Sequence, residues 1–402
     1  MWAAPAMAQN QSPLEALRQH KRQAEWSDNF DATLPEVRAV NSAAPTLSPT
    51  ALGRMQIAIE RHRTLWSAGG WPGVPRTDKA MRLGTRNRTV AALRARLMAS
   101  GDLMQRGGRQ DTFDSYVAAA VKRFQLRHGI AGHGVVDGKT LAALNVPVGV
   151  RLRQLEMNIG RLQAETRDLK DRYVLVNIPA AEIEAVEGGR VRSRHTAVVG
   201  KIDRQSPVLT SRIHELNFNP YWTVPVSIIR RDLIPKMKED PSYLANNKIR
   251  IYRWGDTSRE FNYTEIDWNT DEATEYMFRQ DPGELNSLGT VKINFHNRHQ
   301  VYLHDTPQKS LFGEDVRFHS SGCVRVQNVR ELITWLAAPN GWDRSQVDSV
   351  IRSGQRQDLD LKKPTQIKMA YVTSWVNADG VVHFRDDIYR KDGVGPLAQV
   401  TQ

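Results

Sequence analysis

The spacing of hydrophobic residues changes near residue 171, and this change constrains the fold more than any other feature of the sequence. Before it, apolar residues recur at helical intervals, as Val117, Val121 and Phe124 do. After it, short apolar runs such as residues 173–178 are bounded by turn residues, which is typical of strands. At 402 residues, the chain is also longer than one hydrophobic core usually serves. We therefore predict an α+β multidomain protein whose first part is helical and whose second part is mostly β.

The candidate reactive group is Cys323, the only cysteine of the chain. It follows a turn of small residues that includes Ser321 and Gly322, and His304 lies upstream in a run that alternates like a strand. This alternation places Tyr302 and His304 on one face. A thiol becomes a nucleophile when a base takes its proton, and histidine is the usual base. Backbone N–H groups near Ser321 and Gly322 can converge on an oxyanion, so the pattern predicts a Cys/His acyl-transfer site.

A lone cysteine is more often a small buried hydrophobe than a nucleophile. Here its neighbours Ser320 and Arg325 are polar or cationic, which favours the reactive interpretation. A single cysteine excludes an internal disulfide framework and a multi-cysteine zinc site. His296 and His299 lack the His-Glu-x-x-His pattern of a metal-binding helix, and we interpret them as structural. We predict no metal and no cofactor, because thiol chemistry needs none.

Residues 302–307 and 320–326 together resemble the signature of the L,D-transpeptidases (YkuD domain), in which a histidine precedes a Ser/Thr-His-Gly-Cys motif. The sequence of these two segments is similar to that of the larger, YcbB-type branch of the family. The resemblance implies that Cys323 is the nucleophile and that His304 is the general base and acid. It also implies that carbapenems, as acylating mimics of the substrate, trap Cys323.

Two residues depart from the family pattern. Ser321 stands where many members carry a second histidine, and Asp305 stands where many carry glycine. We expect the backbone carbonyl of Asp305 to orient His304. His319 lies one position from the place of the second histidine, so no role is assigned to it.

The resemblance also implies a substrate cleft. The segment that contains Asn219 and Trp222 is expected to line it, although a core aromatic is an equally good interpretation of Trp222. Arg325 suits a substrate carboxylate, its alternative being a brace of the motif, and Tyr302 is expected to contact substrate. Residues 227–280 read as helical and charged, and the resemblance implies that they form a capping subdomain that closes over substrate.

Upstream, residues 120–125 and 136–145 resemble the peptidoglycan-binding domain 1 family, a small three-helix module. The resemblance covers residues 81–147, with a glycine-rich interruption at 104–111. It implies binding to the same polymer as the cysteine motif.

The expected partners are peptidoglycan stem peptides and glycan. The net charge of +12 favours an anionic partner, but Lys and Arg are dispersed, which argues against a nucleic-acid reader. Ala6-Met7-Ala8 fits a signal-peptidase site that too few residues precede, so we interpret residues 1–9 as the remnant of a truncated signal peptide and expect the periplasm. No run of about 18 apolar residues predicts a transmembrane helix, and we expect a monomer.

The sequence thus divides into segments with distinct expected roles. The predicted segments are a signal remnant (1–9), a helical scaffold (10–80), a peptidoglycan-binding-like helical domain (81–147), a connecting helix (148–170), a mostly β catalytic domain (171–337) with the capping insert (227–280), and a C-terminal segment with a β-hairpin (338–402).

The predicted function is a peptidoglycan L,D-transpeptidase that works through a thioester on Cys323. A hydrolase of the same family is the alternative: an L,D-carboxypeptidase, or an enzyme that cleaves cross-links or lipoprotein anchors. A non-catalytic cell-wall-binding protein is the alternative from another class. Intact Cys323 and His304 argue against the last of these.

Overall fold

The computed structural model describes residues 43–104 and 109–393. The predicted signal remnant at 1–9 lies outside the described residues, as do the first part of the predicted scaffold and the chain after residue 393. None of the described helices combines the length and the apolar character needed to cross a membrane.

The described N-terminal part is helical, as its periodicity predicts. Its helices are α1 (Pro49–Ser67), α2 (Arg88–Ala99), α3 (Ser115–Arg127), α4 (Gly138–Leu144) and α5 (Val148–Thr166). The first four begin where a side-chain oxygen accepts a hydrogen bond from a backbone N–H of the first turn, which satisfies a group that the helix itself leaves unpaired. The capping residues are Ser48, Asn87, Asp114 and Asp137.

Two packing interfaces organise these helices. Helices α2 and α3 share a core in which the predicted positions Val117, Val121 and Phe124 are fully buried, so their assignment as helix core is confirmed. Helices α1 and α5 pack on each other and on one face of the sheet that follows, with Leu155 and Leu175 in the same cluster. The connecting helix is therefore also a cover for the sheet.

From residue 172 onward, strands alternate with short helices. In chain order they are β1 (Arg172–Asn177), β2 (Glu182–Glu187), β3 (Arg190–Gly200), β4 (Leu209–Phe218), β5 (Trp222–Thr223), α6 (Val226–Ile228), α7 (Ile234–Glu239), α8 (Tyr243–Asn246), β6 (Ile249–Arg253), β7 (Asp256–Phe261), β8 (Tyr276–Gln280), β9 (Val291–Phe295), β10 (Leu303–His304), β11 (Phe318–Ser320), β12 (Val324–Val326), α9 (Val329–Ala337), α10 (Arg344–Ser353), β13 (Gln357–Ala370), β14 (Ser374–Val376) and β15 (Val382–Phe384). The predicted α+β class, helical first and then mostly β, is confirmed.

The main sheet has the order β11-β3-β12-β10-β9-β4-β13-β1-β2 and closes on itself. Closure depends on the length of β3: its first residues pair with β2, and its last residues pair with β12 and β11. The core of this sheet contains helix α9, whose Leu332, Ile333 and Leu336 are fully buried.

Two predictions about the sheet and its insert need correction. The insert is only half helical: after α8 it contributes β6, β7 and β8, which join β5 in a four-stranded antiparallel sheet of order β5-β8-β6-β7, and residues 276–280 alternate buried and partly buried side chains as a strand does. The C-terminal segment contributes more than the predicted β-hairpin, since it also contains α10 and β13. Strand β13 lies between β4 and β1, so the main sheet continues past the predicted boundary at residue 337. The late hairpin of this segment is formed by β14 and β15.

An ion pair inside the helical module generates a stability prediction. Arg127 and Asp102 form two hydrogen bonds, Nε to Oδ1 at 2.7 Å and Nη2 to Oδ2 at 2.6 Å, with both side chains less than 10% exposed. Arg127 also donates to the Val382 carbonyl of the late hairpin. Asp102→Asn removes the only negative charge of this pair and leaves a buried cation, so we expect about 3–5 kcal/mol of destabilisation. Urea unfolding followed by circular dichroism measures it.

The matched control is Glu60→Gln, which breaks an exposed ion pair with Arg63. We expect no measurable change from it, because surface pairs contribute little. Equal unfolding midpoints for the two variants would contradict the importance of the buried pair.

Candidate functional site

The turn that carries Cys323 connects β11 to β12 at the edge where β12 meets β10. Gly322 adopts a φ of +114°, which only glycine tolerates without strain, so the turn depends on this residue. Strands β10 and β12 are parallel, with Leu303 opposite Val324 and His304 opposite Arg325. Because side chains alternate along a strand, Tyr302, His304, Cys323 and Arg325 share one face, while Leu303 and Val324 point into the core.

Tyr302 is the immediate neighbour of the sulfur. The backbone N–H and the hydroxyl of Tyr302 both favour the thiolate form of Cys323. Burial nevertheless raises the pKa of the Cys323 thiol to about 11, although Tyr302 and the positive charges of Lys292 and Arg325 oppose that shift. Part of Cys323 still reaches the surface. The resting group is therefore a protonated thiol that needs a base to react at neutral pH.

His304 is buried and held in one orientation. Its Nδ1 lies 2.5 Å from the carbonyl oxygen of Asp305. Since that oxygen can only accept, the proton is on Nδ1, and Nε2 is left without one. Burial, together with the charges of Arg325 and Lys292, lowers the pKa of His304 to about 3. The imidazole is consequently neutral at physiological pH and able to accept a proton through Nε2.

The side chain of Asp305 secures the carbonyl that orients His304. Its carboxylate accepts hydrogen bonds from the backbone N–H of Thr290 at 3.0 Å, from the Thr290 hydroxyl at 2.8 Å and from Lys309 Nζ at 2.5 Å. Burial alone would raise the pKa of Asp305, but Lys309 and these hydrogen bonds keep it below its ordinary value. A β-carbon on Gly289 would lie 2.5 Å from the Asp305 carboxylate, so glycine at 289 makes room for the aspartate.

Arg325 lies opposite His304 and is tethered at one end. Its Nη1 donates to Gln308 Oε1 at 2.6 Å. Its Nε is buried and has no hydrogen-bond partner within the described parts of the chain. Burial lowers its pKa, and the nearby sulfur opposes that shift. Arg325 thus places a cation beside both Cys323 and His304.

A cleft of about 1030 Å³ opens in front of this face, between the main sheet and the insert. Tyr302 and Trp222 line it. The exposed Trp254 of the insert lines it as well. Cys323 and His304 are not among the lining residues, and Tyr302 connects the cleft to the sulfur.

Lys292 is a site residue that the sequence interpretation missed. It lies opposite His304 on β9, lines the cleft, and places Nζ 4.6 Å from the centre of the Tyr302 ring. Burial lowers its pKa, while Cys323 opposes that shift. The signal was available in residues 291–295, because the alternation that buries Val291 and Ile293 turns Lys292 to the other face.

Asn219 does not line the cleft, which corrects its predicted contact with substrate. It is buried with a φ of +46°, and its side-chain amide donates to the carbonyls of Val350 and Gln355, both at 2.9 Å. These bonds fix the turn before β5 and use both amide hydrogens. His319, to which no role was assigned, pairs with Glu314 at 2.8 Å.

The predicted oxyanion residues are held by their neighbours. The N–H of Gly322 donates to the Ser320 hydroxyl at 3.1 Å and is therefore already used. The Ser321 hydroxyl accepts from Arg204 Nη1 at 3.0 Å. Arg204 also pairs with Asp232 of the insert, so one guanidinium joins the cysteine turn to the insert.

No group of three His, Cys, Asp or Glu side chains in residues 43–104 or 109–393 is placed to hold a metal ion.

Comparisons with known proteins agree with the two sequence motifs. Residues 171–358 match the family model of the YkuD L,D-transpeptidase catalytic domain, and residues 86–144 match the PG_binding_1 model, described as "Putative peptidoglycan binding domain". A protein of Haemophilus influenzae named "Putative L,D-transpeptidase" is 31% identical over 251 residues, which are 62% of this chain and 50% of that protein. The chain thus spans about half the length of that relative.

Among solved structures, an L,D-transpeptidase of Xylanimonas cellulosilytica is 16% identical with a TM-score of 0.23, over 73% of this chain and 99% of its own. One of Stackebrandtia nassauensis is 12% identical with a TM-score of 0.27, over 74% and 96%. These TM-scores are too low to support any inference.

The family matches confirm both predicted resemblances. Residues 171–358 match the YkuD family of L,D-transpeptidase catalytic domains, and residues 86–144 of the same chain match the PG_binding_1 family.

Proposed function

We propose that this protein is a peptidoglycan L,D-transpeptidase that cross-links stem peptides through a thioester on Cys323. The observation that carries the proposal is that Cys323 and a neutral His304, whose Nε2 carries no proton, lie on one face of the paired strands β10 and β12. This arrangement borders a cleft large enough for a peptide.

In the first step, Nε2 of His304 takes the thiol proton as the sulfur attacks a peptide carbonyl of the donor stem. Because burial favours the neutral forms of both groups, the thiolate–imidazolium pair forms as the new S–C bond forms rather than beforehand. The peptide N–H groups of Ser321 and Cys323 are assigned to the oxyanion. The amine leaves with the proton from His304, and the carbonyl carbon stays on the sulfur.

In the second step, the amine of another stem attacks the thioester, His304 accepts its proton, and the thiol is restored as the cross-link forms. Arg325 and Lys292 supply positive charge for the carboxylates of the stem peptides. The insert, with Trp254 at the cleft, is assigned to hold the acceptor and to limit access of water. The peptidoglycan-binding domain is assigned to the glycan, and the periplasm is the proposed location.

The test is to incubate muropeptides with the protein and to identify the products by mass spectrometry. New dimers support the transpeptidase, shortened stems or cleaved cross-links support the hydrolase, and unchanged muropeptides support a wall-binding protein. The last two outcomes contradict the proposal.

We predict that Cys323→Ala abolishes product formation, with a loss of at least about 10⁴-fold, because the covalent intermediate cannot form. Cys323→Ser keeps the shape of the side chain and serves as the matched control for folding. It should unfold at the wild-type temperature yet form no thioester, and a stable acyl adduct on Cys323→Ala would argue against sulfur as the nucleophile.

The lowered pKa of His304 predicts an unusual pH profile. Since a base works only when deprotonated, a pKa of about 3 leaves His304 active throughout the range above it. The raised pKa of Cys323, about 11, keeps the thiol protonated up to that value. The second-order rate constant for acylation of Cys323 by a carbapenem should therefore be flat between about pH 5 and 9.

Arg325→Gln should move the acidic limb of this profile to higher pH, because it removes a charge that lowers the pKa of His304. Arg330→Gln, which removes an arginine paired with Asp348 on α9 and α10, is the charge-matched control and should leave the limb in place. Identical limbs for wild type and Arg325→Gln would contradict this electrostatic assignment.

A further inference from the structure

The peptide group between Gly322 and Cys323 is fixed by a hydrogen bond from the protein interior. Its carbonyl, Gly322 O, accepts a hydrogen bond from the Ser206 hydroxyl at 2.8 Å. Ser206 is completely buried, so water cannot compete for this bond. In a trans peptide the C=O and N–H point in opposite directions. Fixing Gly322 O inward therefore turns the Cys323 N–H outward, to the side on which a substrate carbonyl would meet the sulfur.

The Ser206 hydroxyl can donate in only one direction. Its oxygen accepts from the Gly200 N–H at 2.9 Å, which leaves its hydrogen for Gly322 O. The chain between Gly200 and Ser206 turns back so tightly that a β-carbon on Gly200 would lie 2.5 Å from the Ser206 nitrogen. Ser206 thus lies in a turn whose backbone is too tightly packed to accept a side chain at Gly200.

Tyr389 closes this turn. Its hydroxyl accepts from the Ser206 N–H at 3.2 Å and donates to the Gly200 carbonyl at 2.5 Å. One phenol oxygen therefore bridges both ends of the turn that presents the serine. Tyr389 itself is 6% exposed and belongs to the core of the main sheet.

Tyr389 comes from a part of the chain beyond the family match, which ends at residue 358. Its backbone N–H donates to the Tyr371 hydroxyl at 2.8 Å, and Tyr371 donates to Asp387 at 2.6 Å. The two tyrosine rings stack with centres 5.6 Å apart. These bonds hold Tyr389 against the cysteine turn.

From these contacts we infer that Tyr389 is a positioning residue of the acyl-transfer site, which acts through Ser206 to aim the Cys323 N–H at the oxyanion. The inference rests on the proposed function and assigns a role in it to the C-terminal segment. The hydrogen bonds of Tyr389 go to Ser206, Gly200 and Tyr371, so its effect on Cys323 is on geometry.

The test compares two reactions of Cys323 in the full chain. Acylation by a carbapenem passes through an oxyanion and needs the Cys323 N–H, whereas alkylation by iodoacetamide displaces iodide from a saturated carbon and needs no oxyanion donor. Both rates are followed by intact-protein mass spectrometry for wild type, Tyr389→Phe, Ser206→Ala and the double variant. The matched control is Tyr173→Phe, which removes a buried hydroxyl that donates to the Leu47 carbonyl.

We expect Tyr389→Phe and Ser206→Ala each to slow acylation at least about tenfold, toward the 10²- to 10³-fold that the loss of an oxyanion donor costs. Alkylation should stay within about twofold of wild type. The double variant should be little slower than Ser206→Ala alone, because both residues act along one path. Tyr173→Phe should leave both rates unchanged.

An acylation rate in Tyr389→Phe equal to that of the wild type would overturn the inference. An equal fall of the acylation and alkylation rates would overturn it too, because it would mean that the turn has loosened in general. Failure of the proposed function looks different: the wild-type protein itself would not be acylated, and the inference would fall with it. If Tyr389→Phe is too unstable to assay, Ser206→Ala gives the same comparison, since it removes the hydroxyl that Tyr389 positions.

Discussion

The parallel pairing of β10 with β12 is the contact on which the whole site depends. It sets Leu303 opposite Val324, so that two fully buried side chains fix the register of the two strands. A slip of one residue would turn those side chains outward and bury His304 and Arg325 in hydrocarbon instead. The same register brings Tyr302 beside Cys323. Burial of Leu303 and Val324 on one face of the sheet thus places the side chains of the candidate site on the other face.

Burial then decides the charge states of the site. It keeps Cys323 protonated and His304 neutral, while two cations, Lys292 and Arg325, lie close enough to oppose the first shift and reinforce the second. At neutral pH the resting site therefore contains a thiol and a neutral imidazole rather than a thiolate and an imidazolium. The positive charges of Lys292 and Arg325 therefore attract anionic groups to this side of the sheet.

Much of the fold and the centre of the site could be predicted from the sequence, since both depend on local pattern. The helical period located Val117, Val121 and Phe124, and alternation placed Tyr302 and His304 on one face. The insert was predicted less well, because its short strands follow charged helices and form a sheet separate from the main one. Asn219 was misassigned because its partners, Val350 and Gln355, lie more than 130 residues away. Hydrogen bonds between residues so far apart in the chain produce no periodic pattern from which they could be predicted.

The sequence by itself determined the helical and β halves and the resemblance to the two families, and it singled out Cys323 and His304 as candidates, because these depend on residue types at short spacing. Only the tertiary structure decided that Asp305 is clamped by Thr290 and Lys309, that Lys292 faces the cleft, and that Ser206 and Tyr389 lie behind the cysteine turn. Each of these contacts joins residues from different strands or loops. Their geometry exists only once the closed sheet has brought those segments together.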